Sequence, residues 1–232
     1  MRFTLKRGCE YNKVGGLFLS FEGIDGCGKS TQADLCFEAL KKLNLSVIKT
    51  REPGGEAVAE RIREILLFSE DDVVDSAEAL LYAASRAQHV AKVIRPSLES
   101  SKIVVCDRFV HSSVAYQGYG LGIDVDTIWK VNQLAMGDIF PDLVFLFDLD
   151  IKEAKNRSKK RGDTPSREIN TNNEIIGTDR IEERDANFYQ RVRNGFLEMA
   201  TKDKRIVVLD ANEPKETLHD KVMEIIRVTL NT

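Results

Sequence analysis

A glycine-rich motif near the start of the chain constrains its fold more than any other feature. Residues 17–31 read LFLSFEGIDGCGKST, in which an apolar run leads directly into the pattern G-x-x-x-x-G-K-[ST] from Gly23 to Ser30. The run Leu17–Phe21 predicts a short buried strand, and apolar residues at helical spacing up to Leu43 predict a helix. A strand, a glycine loop and a helix in this order direct backbone N–H groups and the positive end of a helix dipole into one concavity. The motif therefore predicts a P-loop that binds a nucleoside triphosphate.

The residue types within the loop suit that chemistry. Lys29 would reach the β- and γ-phosphates, and the Ser30 hydroxyl would coordinate Mg²⁺. The predicted ATP-binding residues are Gly23, Ile24, Asp25, Gly26, Cys27, Gly28, Lys29, Ser30 and Thr31. Asp107, which closes the apolar run IVVCD, is a second candidate for Mg²⁺, which it would hold through water. For Cys27, beside the phosphates, the alternatives are a thiol with a lowered pKa and an inert small residue, and the second is the simpler interpretation.

Further apolar runs along the chain predict the rest of a sheet. The strand candidates after the first are Ser46–Thr50, Ile103–Cys106, Leu143–Asp148 and Arg205–Leu209. The helical patterns between and after them are Glu56–Phe68, Ser76–Ser100, Asp126–Gly137, Lys152–Arg161, Arg180–Lys202 and Pro214–Leu230. Continuous apolar strands that alternate with amphipathic helices indicate a parallel sheet covered on both faces. The sequence thus predicts a three-layer α/β/α fold with a five-stranded parallel sheet.

Composition is that of a globular protein with one well-buried domain. The 232 residues are 42% hydrophobic and 31% charged, and a net charge of −3 gives no global electrostatic reason to expect nucleic-acid or membrane binding. The four cysteines form no C-x-x-C pair, so we expect free thiols and a cytoplasmic location. Residues 1–16 are basic and lack an apolar segment, which predicts a disordered extension and not a secretory signal.

Two other segments stand out. Residues 163–178 are polar, rich in Asn and Thr and without periodicity, so we expect a mobile loop between two helices. The motif REPGG at 51–55 follows the second predicted strand. Its Glu52–Pro53 bond is a candidate for a cis peptide, and an ordinary turn proline is an equal alternative.

Five segments in order resemble the successive motifs of bacterial thymidylate kinases. They are FEGIDGCGKST, REPGG, LLYAASRAQH at 80–89, DRFVHSSVAYQG at 107–118 and DRIEERDANFYQRVRNGFLEMA at 179–200. The resemblance runs from about Leu17 to the end of the chain. It implies transfer of the γ-phosphoryl group of ATP to dTMP, giving dTDP for dTTP synthesis, in a homodimer with the P-loop kinase fold. It also implies one domain over 17–232 with a lid around 156–180.

The resemblance assigns roles to residues of the acceptor site. The implied dTMP-binding residues are Asp25, Arg51, Pro53, Tyr82, Arg86, Arg108, Ser113, Tyr116 and Gln117. Arg51 and Arg108 follow strands and suit the acceptor phosphate, because a guanidinium matches phosphate in a bidentate manner. Arg86 is implied to contact thymine O4, and Tyr116 to exclude a 2′-hydroxyl. Tyr82 is implied to stack on the base, although packing in the helix core would explain it equally.

The charge of the transferred phosphoryl group also needs cations, and the loop itself offers only Lys29. Basic residues that flank the predicted mobile loop are candidates, namely Arg157, Arg161 and Arg180, and a solvated basic helix face is the alternative. The implied catalytic residues are Lys29, Arg108, Arg161 and Arg180. The 16 residues between Gly162 and Asp179 depart from the family pattern, which has one or two there.

Other functions remain open at this point. Another nucleotide kinase, such as a deoxynucleoside kinase or a UMP/CMP kinase, is the first alternative. A nucleotide-gated switch or binding protein without turnover is the second. An N-K-x-D base-reading motif is absent from the sequence, which disfavours a GTPase.

Overall fold

The computed structural model describes residues 15–69, 71–160, 168–169, 175–176, 181 and 184–230. Within these ranges the strands are β1 (Leu17–Glu22), β2 (Val47–Arg51), β3 (Ile103–Asp107), β4 (Leu143–Asp148), β5 (Glu168–Ile169), β6 (Ile175–Ile176) and β7 (Ile206–Asp210). The α-helices are α1 (Lys29–Lys42), α2 (Ala57–Phe68), α3 (Asp75–His89), α4 (Arg95–Glu99), α5 (Val110–Ser113), α6 (Val125–Met136), α7 (Ile151–Lys160), α8 (Ala186–Lys202) and α9 (Lys215–Leu230). Two segments, Val90–Ile94 and Val114–Gly120, are π-helical.

Five strands form one all-parallel sheet in the order β2-β3-β1-β4-β7. The predicted five-stranded parallel sheet is therefore confirmed, and every predicted strand lies within one residue of its observed bounds. Phe21 of β1 and Arg51 of β2 both pair in register with Asp107 of β3. This register aligns the carboxyl ends of the three strands, where ligands bind in open α/β sheets.

The core lies against the central strands. All six residues of β1 are buried, as expected for a strand between two neighbours and under helices on both faces. Phe18 packs edge-on against Phe109, and Phe21 packs against Phe145 and Phe147. Helix α1 packs on α9, while α2, α3 and α6 pack in succession. No helix among the described residues is both long and apolar enough to span a bilayer.

The observed helices differ from the predicted ones in three places. The predicted helix 76–100 is α3 and α4 joined by a π-helical segment, and the helical turns from Val110 to Gly120 were not predicted. Helix α8 begins at Ala186, not at residue 180, because Asp185 caps it by accepting a hydrogen bond from Phe188 N at 2.7 Å.

The segment 163–178 is only partly described. It contains an antiparallel pairing of β5 with β6, so the expected loop between two helices includes two short strands, which the sequence did not predict. Residues 1–14 of the expected N-terminal extension lie outside the described residues, as do 161–167.

Candidate active site

A cavity of about 620 Å³ opens at the aligned carboxyl ends of β1, β2 and β3. Its wall includes these predicted site residues: Asp25, Lys29, Ser30, Arg51, Pro53, Tyr82, Arg86, Asp107, Arg108, Ser113, Tyr116 and Gln117. The remaining P-loop residues, which are not wall residues, are Gly23, Ile24, Gly26, Cys27, Gly28 and Thr31. Wall residues that the sequence did not single out include Lys49, Thr50, Glu52, Gly55, Arg63, Ser112 and Ile181. The fold thus gathers the predicted donor and acceptor residues around one space.

The P-loop has the predicted strand–loop–helix geometry. Gly28 caps α1 with a φ of 93°, and the helix begins at Lys29, so its unpaired N–H groups face the loop. Gly26 has a φ of 85°, and a Cβ there would lie 2.4 Å from the Ala154 carbonyl oxygen of α7. A larger side chain, such as an arginine, does not fit at this position. The loop's own cation is therefore Lys29.

The Asp25 carboxylate gathers three side chains at the cavity wall, and we call Asp25, Lys29, Arg108 and Tyr116 the open cluster. Lys29 Nζ donates to Asp25 Oδ1 at 3.1 Å, and Arg108 Nη2 donates to the same oxygen at 2.5 Å. The Tyr116 hydroxyl donates to Oδ2 at 3.0 Å. Burial alone would raise the pKa of Asp25, but the charges of Arg108 and Lys29 outweigh burial and hold it well below its ordinary value. Asp25 is therefore a permanent anion that pairs with both cations.

Arg108 owes its position to a buried carboxyl group behind it. Its backbone has a φ of 70°, a left-handed conformation that is unusual outside glycine. Glu22 accepts hydrogen bonds from Phe109 N at 2.7 Å and from Ser112 Oγ at 2.5 Å, and Ser112 Oγ accepts from Arg108 Nη1 at 3.0 Å. Burial raises the pKa of Glu22 to about 7 despite these hydrogen bonds.

Two oxygens suit a magnesium ion beside the P-loop. One Asp107 carboxylate oxygen, Oδ1, is buried and has no hydrogen-bond partner among the described residues, and the Ser30 side chain lies in the same wall. No group of three or more His, Cys, Asp or Glu residues is arranged to hold a metal ion in the part of the chain that the structure describes. Mg²⁺ at phosphate sites uses few protein oxygens and takes the rest from phosphates and water, so this donor set fits it.

Arginines from two elements meet at the REPGG segment. The Glu52–Pro53 peptide is cis, which resolves the alternative left by the sequence. Arg51 Nη1 and Arg63 Nη1 both donate to the Pro53 carbonyl oxygen, at 3.0 Å and 2.9 Å. Arg63 lies on α2, and nothing in its helical pattern distinguished it from a solvent-facing residue. The wall therefore carries a second cationic corner, separate from the P-loop.

Arg86 closes the innermost part of the cavity and is only 2% exposed. Its guanidinium pairs with Glu52, and its Nη1 donates to Ser113 Oγ at 2.9 Å and to Asn132 Oδ1. Tyr82, one helical turn before Arg86 on α3, is half-buried in the wall. A planar ring and a set of hydrogen-bonding groups thus lie side by side, as a nucleobase site requires.

Tyr116 and Gln117 lie on the π-helical segment. Tyr116 packs edge-on against Phe188, Tyr189 and Phe196 of α8, which fixes its ring. Gln117 Nε2 donates to Glu78 Oε1 at 3.0 Å. The other Glu78 oxygen accepts from Arg184 Nη2 at 2.6 Å, a partner that the sequence did not reveal.

The three candidate lid arginines are placed only in part. Arg157 Nε donates to Glu153 at 3.0 Å, and its Nη1 donates to the Ala211 carbonyl at 2.9 Å; it is not a wall residue of the cavity. Arg161 and Arg180 lie outside the described residues. Burial raises the pKa of the Cys27 thiol, so the suggestion of a lowered pKa was wrong and the inert interpretation stands.

Comparison with known proteins agrees with this geometry. Residues 21–222 match the family model described as Thymidylate kinase. A thymidylate kinase of Halothermothrix orenii is 42% identical over 207 residues, which are 89% of this chain and 94% of that protein. One of Exiguobacterium sp. is 44% identical over 213 residues, 91% and 94% of the two chains. The crystal structure of thymidylate kinase from Ehrlichia chaffeensis has a TM-score of 0.69 and 36% identity, and covers 91% of this chain and 99% of that one.

Proposed function

We propose that this chain, which belongs to the thymidylate kinase family, phosphorylates dTMP to dTDP with ATP as the phosphoryl donor. The observation that carries the proposal is that a P-loop faces a second set of arginines and a base-sized pocket within one cavity. A nucleotide-gated switch needs the first of these features only. Transfer between two nucleotides needs all of them.

On the donor side, the N-terminus of α1 and Lys29 bind the β- and γ-phosphates of ATP. Lys29 then releases Asp25 and moves its charge to the oxygens that become more negative during transfer. Ser30 and Asp107 would hold Mg²⁺, which when bound neutralises phosphate charge and orients the γ-phosphoryl group. Little covalent chemistry is asked of the protein, because positioning and charge stabilisation account for most of the catalysis.

On the acceptor side, Arg51 and Arg63 are placed to bind the phosphate of dTMP, with Arg108 between the two phosphate sites. Asp25, held ionised, accepts a hydrogen bond from the 3′-hydroxyl. Tyr116 lies against the deoxyribose, where its fixed ring leaves no room for a 2′-hydroxyl.

The base of dTMP occupies the inner pocket. Tyr82 stacks on thymine, while Arg86, Ser113 and Gln117 offer hydrogen bonds to its edge. A cytosine would place an amine where Arg86 also presents donors, so two donors would meet without an acceptor.

Closure of the site supplies the remaining charge. We assign this role to Arg161 and Arg180 of a lid around 156–180, within one domain over 17–232, because Lys29 is the cation of the P-loop and Gly26 leaves no space for a second one at its position. A closing lid also excludes water from the transferred phosphoryl group.

A homodimer through α3 and α6 completes the proposal. These helices pack on one another, and Leu80 of α3 and Leu134 of α6 are 58% and 89% exposed. Large apolar side chains exposed on adjacent helices are typical of an interface between copies. Light scattering should give a dimer that Leu134→Glu weakens, and a monomeric parent protein would contradict the assignment. We place the reaction in the cytoplasm, where the free thiols of Cys27, Cys36 and Cys106 remain reduced.

The proposed function is tested by coupled ADP release with dTMP, dUMP, dCMP and dGMP as acceptors. We expect dTMP to give the highest kcat/KM and an amount of dTDP equal to the ADP released. Faster turnover of dCMP would favour a different nucleotide kinase. Release of ADP at one rate with or without an acceptor would favour an ATPase or a switch.

A further inference from the structure

A chain of buried polar groups lies behind Arg86 and has no part in the transfer just described. His89 Nδ1 lies 3.0 Å from Glu52 Oε1, and Thr50 Oγ1 lies 2.6 Å from His89 Nε2. The side chain of His89 is fully buried, and that of Glu52 is 3% exposed. Burying a histidine and a carboxylate is costly unless both are hydrogen-bonded, so an arrangement of this kind needs a reason.

The hydrogen bonds of Arg86 show what the chain supports. Arg86 Nε and Nη2 approach Glu52 Oε2 at 2.8 Å and 2.7 Å, and Nη2 also donates to Phe109 O at 3.1 Å. Nη1 donates to Ser113 Oγ and Asn132 Oδ1. Among these partners only Glu52 is charged. Its carboxylate therefore balances the buried guanidinium and fixes the plane of that group, and with it the direction of Nη1, whose two partners are both neutral.

His89 in turn fixes Glu52. A carboxylate only accepts hydrogen bonds, so the Nδ1 atom of His89 carries the hydrogen that faces Glu52. In the neutral imidazole, Nε2 then accepts a hydrogen bond from the Thr50 hydroxyl. The second glycine of REPGG makes room for this pair, because a Cβ on Gly55 would lie 2.6 Å from both His89 Nε2 and Thr50 Oγ1.

The same segment reaches the second cationic corner of the cavity. Glu52 precedes Pro53, whose carbonyl oxygen accepts from Arg51 and Arg63. One dipeptide thus contacts the arginine of the base pocket through its carboxylate and the two arginines of the phosphate corner through its carbonyl. A shift of Glu52 would move both sets together.

We propose that Glu52 and His89 are positioning residues for acceptor recognition: His89 orients the Glu52 carboxylate, and Glu52 orients Arg86 toward the edge of the acceptor base. The inference rests on the proposed function, since it takes dTMP as the acceptor. Neither residue contacts the reacting phosphates, so their removal should weaken acceptor binding and leave the donor side intact.

The test compares steady-state constants and calorimetric dTMP binding for the wild type, Glu52→Gln, His89→Gln and His89→Asn in the full chain. The amide nitrogen of Asn lies near the place of Nδ1, whereas that of Gln lies near the place of Nε2. His89→Asn therefore keeps the donor to Glu52, and His89→Gln loses it. Thr50→Val and Thr50→Ser form a second, milder pair that removes or keeps the hydroxyl behind His89.

We expect Glu52→Gln to raise the KM and Kd for dTMP about tenfold or more, because it removes the charge partner of a buried arginine. His89→Gln and Thr50→Val should raise the KM and Kd for dTMP by about threefold to fivefold, because each variant loses one hydrogen bond. In His89→Asn and Thr50→Ser, which keep these hydrogen bonds, the KM and Kd for dTMP should stay within about twofold of the wild-type values. The KM for ATP should stay within about twofold in every variant, since uniform loss of acceptor binding leaves the donor site unchanged.

Three results would overturn the inference. The first is a KM for dTMP within about twofold of the wild type in both Glu52→Gln and Thr50→Val. The second is an equal rise in the KM values for dTMP and ATP in these variants. The third is an equal rise in the KM for dTMP in His89→Asn and His89→Gln. A wild type that fails to phosphorylate dTMP contradicts the proposed function itself, and is thereby distinguished from these three. The Thr50 pair decides the question if the His89 variants do not fold.

Discussion

Two groups of paired charges at the same sheet edge differ in their exposure to water. In the open cluster, the side chains of Lys29, Arg108 and Asp25 are 8%, 15% and 28% exposed. In the set formed by Glu52, Arg86 and His89, which we call the closed cluster, no side chain is more than 3% exposed. Both clusters combine one carboxylate with cationic or imidazole partners, so residue types alone do not separate them.

The difference in exposure indicates a difference in task. Charges that face the cavity can exchange partners when phosphates arrive, because water and ligand replace whatever bond is lost. Charges sealed from water cannot exchange cheaply, since a broken buried pair leaves an uncompensated ion. We therefore assign transfer and contact with the acceptor's sugar to the open cluster, and recognition of the acceptor base to the closed cluster.

Removing the P-loop cation should lower kcat more than any other substitution proposed below. A small change in kcat would contradict the assignment of transfer to the open cluster. Lys29→Ala is expected to lower kcat by about a hundredfold to a thousandfold, roughly 3–4 kcal/mol of lost transition-state stabilisation. The closed cluster is untouched, so the Kd for dTMP should change little. Rapid-quench turnover and calorimetry measure the two quantities.

Lys41→Ala is the matched control, because Lys41 lies on the same helix and its side chain is 53% exposed. It should behave as the wild type. Near-normal kcat in Lys29→Ala at saturating ATP and dTMP would remove the open cluster from the transfer step.

Glu22 gives a pH-dependent test of what supports Arg108. Its pKa of about 7 in the folded protein exceeds its ordinary value of 4.5, so the folded protein binds more protons between these pH values. The stabilising contribution is complete below about pH 4.5 and is lost as pH rises through about 7. Denaturant unfolding from pH 5 to 8 should therefore show the free energy of unfolding of the wild type falling by about 3 kcal/mol relative to Glu22→Gln. Parallel curves for the two proteins would contradict a buried, protonated Glu22.

The two lid arginines test whether positive charge from outside the open cluster also contributes to phosphoryl transfer. Arg161→Ala and Arg180→Ala should each lower kcat about tenfold or more, near 1.4 kcal/mol, with a smaller rise in the KM for dTMP, because their charge is needed mainly in the transition state. Shortening 163–178 to two residues should keep turnover within about tenfold. An inactive shortened protein together with two active arginine variants would place the chemistry in the insert instead.

The smallest expected effect concerns the hydroxyl of Tyr116. It donates to Asp25 Oδ2 at 3.0 Å and accepts from Arg108 Nη2 at 3.3 Å. Tyr116→Phe removes these bonds but keeps the ring, so kcat should fall about fivefold, the worth of about 1 kcal/mol. The preference for dTMP over its ribo analogue should persist because shape causes it. Loss of that preference with intact dTMP binding would show that the hydroxyl, not the ring, excludes the 2′-hydroxyl.

The sequence predicted the sheet and the P-loop for identifiable reasons, whereas the roles of Asp25 and Tyr116 in the open cluster came from the family resemblance. Buried parallel strands are continuous apolar runs, and the P-loop motif lies between two of the predicted elements, so local patterns sufficed. Lys29 and Asp25 lie within that motif. Arg108 has a left-handed backbone and is followed by Phe109, whose N–H donates to the distant Glu22, and no local pattern indicates either feature.

Of the three residues of the closed cluster, only Arg86 was assigned to the site from the sequence. Arg86 came from the resemblance, but its partner Glu52 is 34 residues away. Glu52 is also 37 residues from His89, and it meets both side chains only after β2 and α3 have packed. Arg63 and Glu78 were not predicted for the same reason. Their partners lie on other elements, at no regular spacing along the sequence. The helical turns from Val110 to Gly120 were missed because they follow a strand without a helical apolar pattern.

The central claim is that the open cluster exchanges hydrogen-bond partners when nucleotides bind and that the closed cluster keeps its partners. A crystal structure with dTMP and a non-hydrolysable ATP analogue bound tests this claim most directly. We expect Lys29 Nζ to leave Asp25 and contact the β- or γ-phosphate oxygens, while the Arg86–Glu52 and His89–Glu52 hydrogen bonds remain as they are. A Lys29–Asp25 pair that persists with both nucleotides bound, or an Arg86 that has released Glu52, would contradict the account.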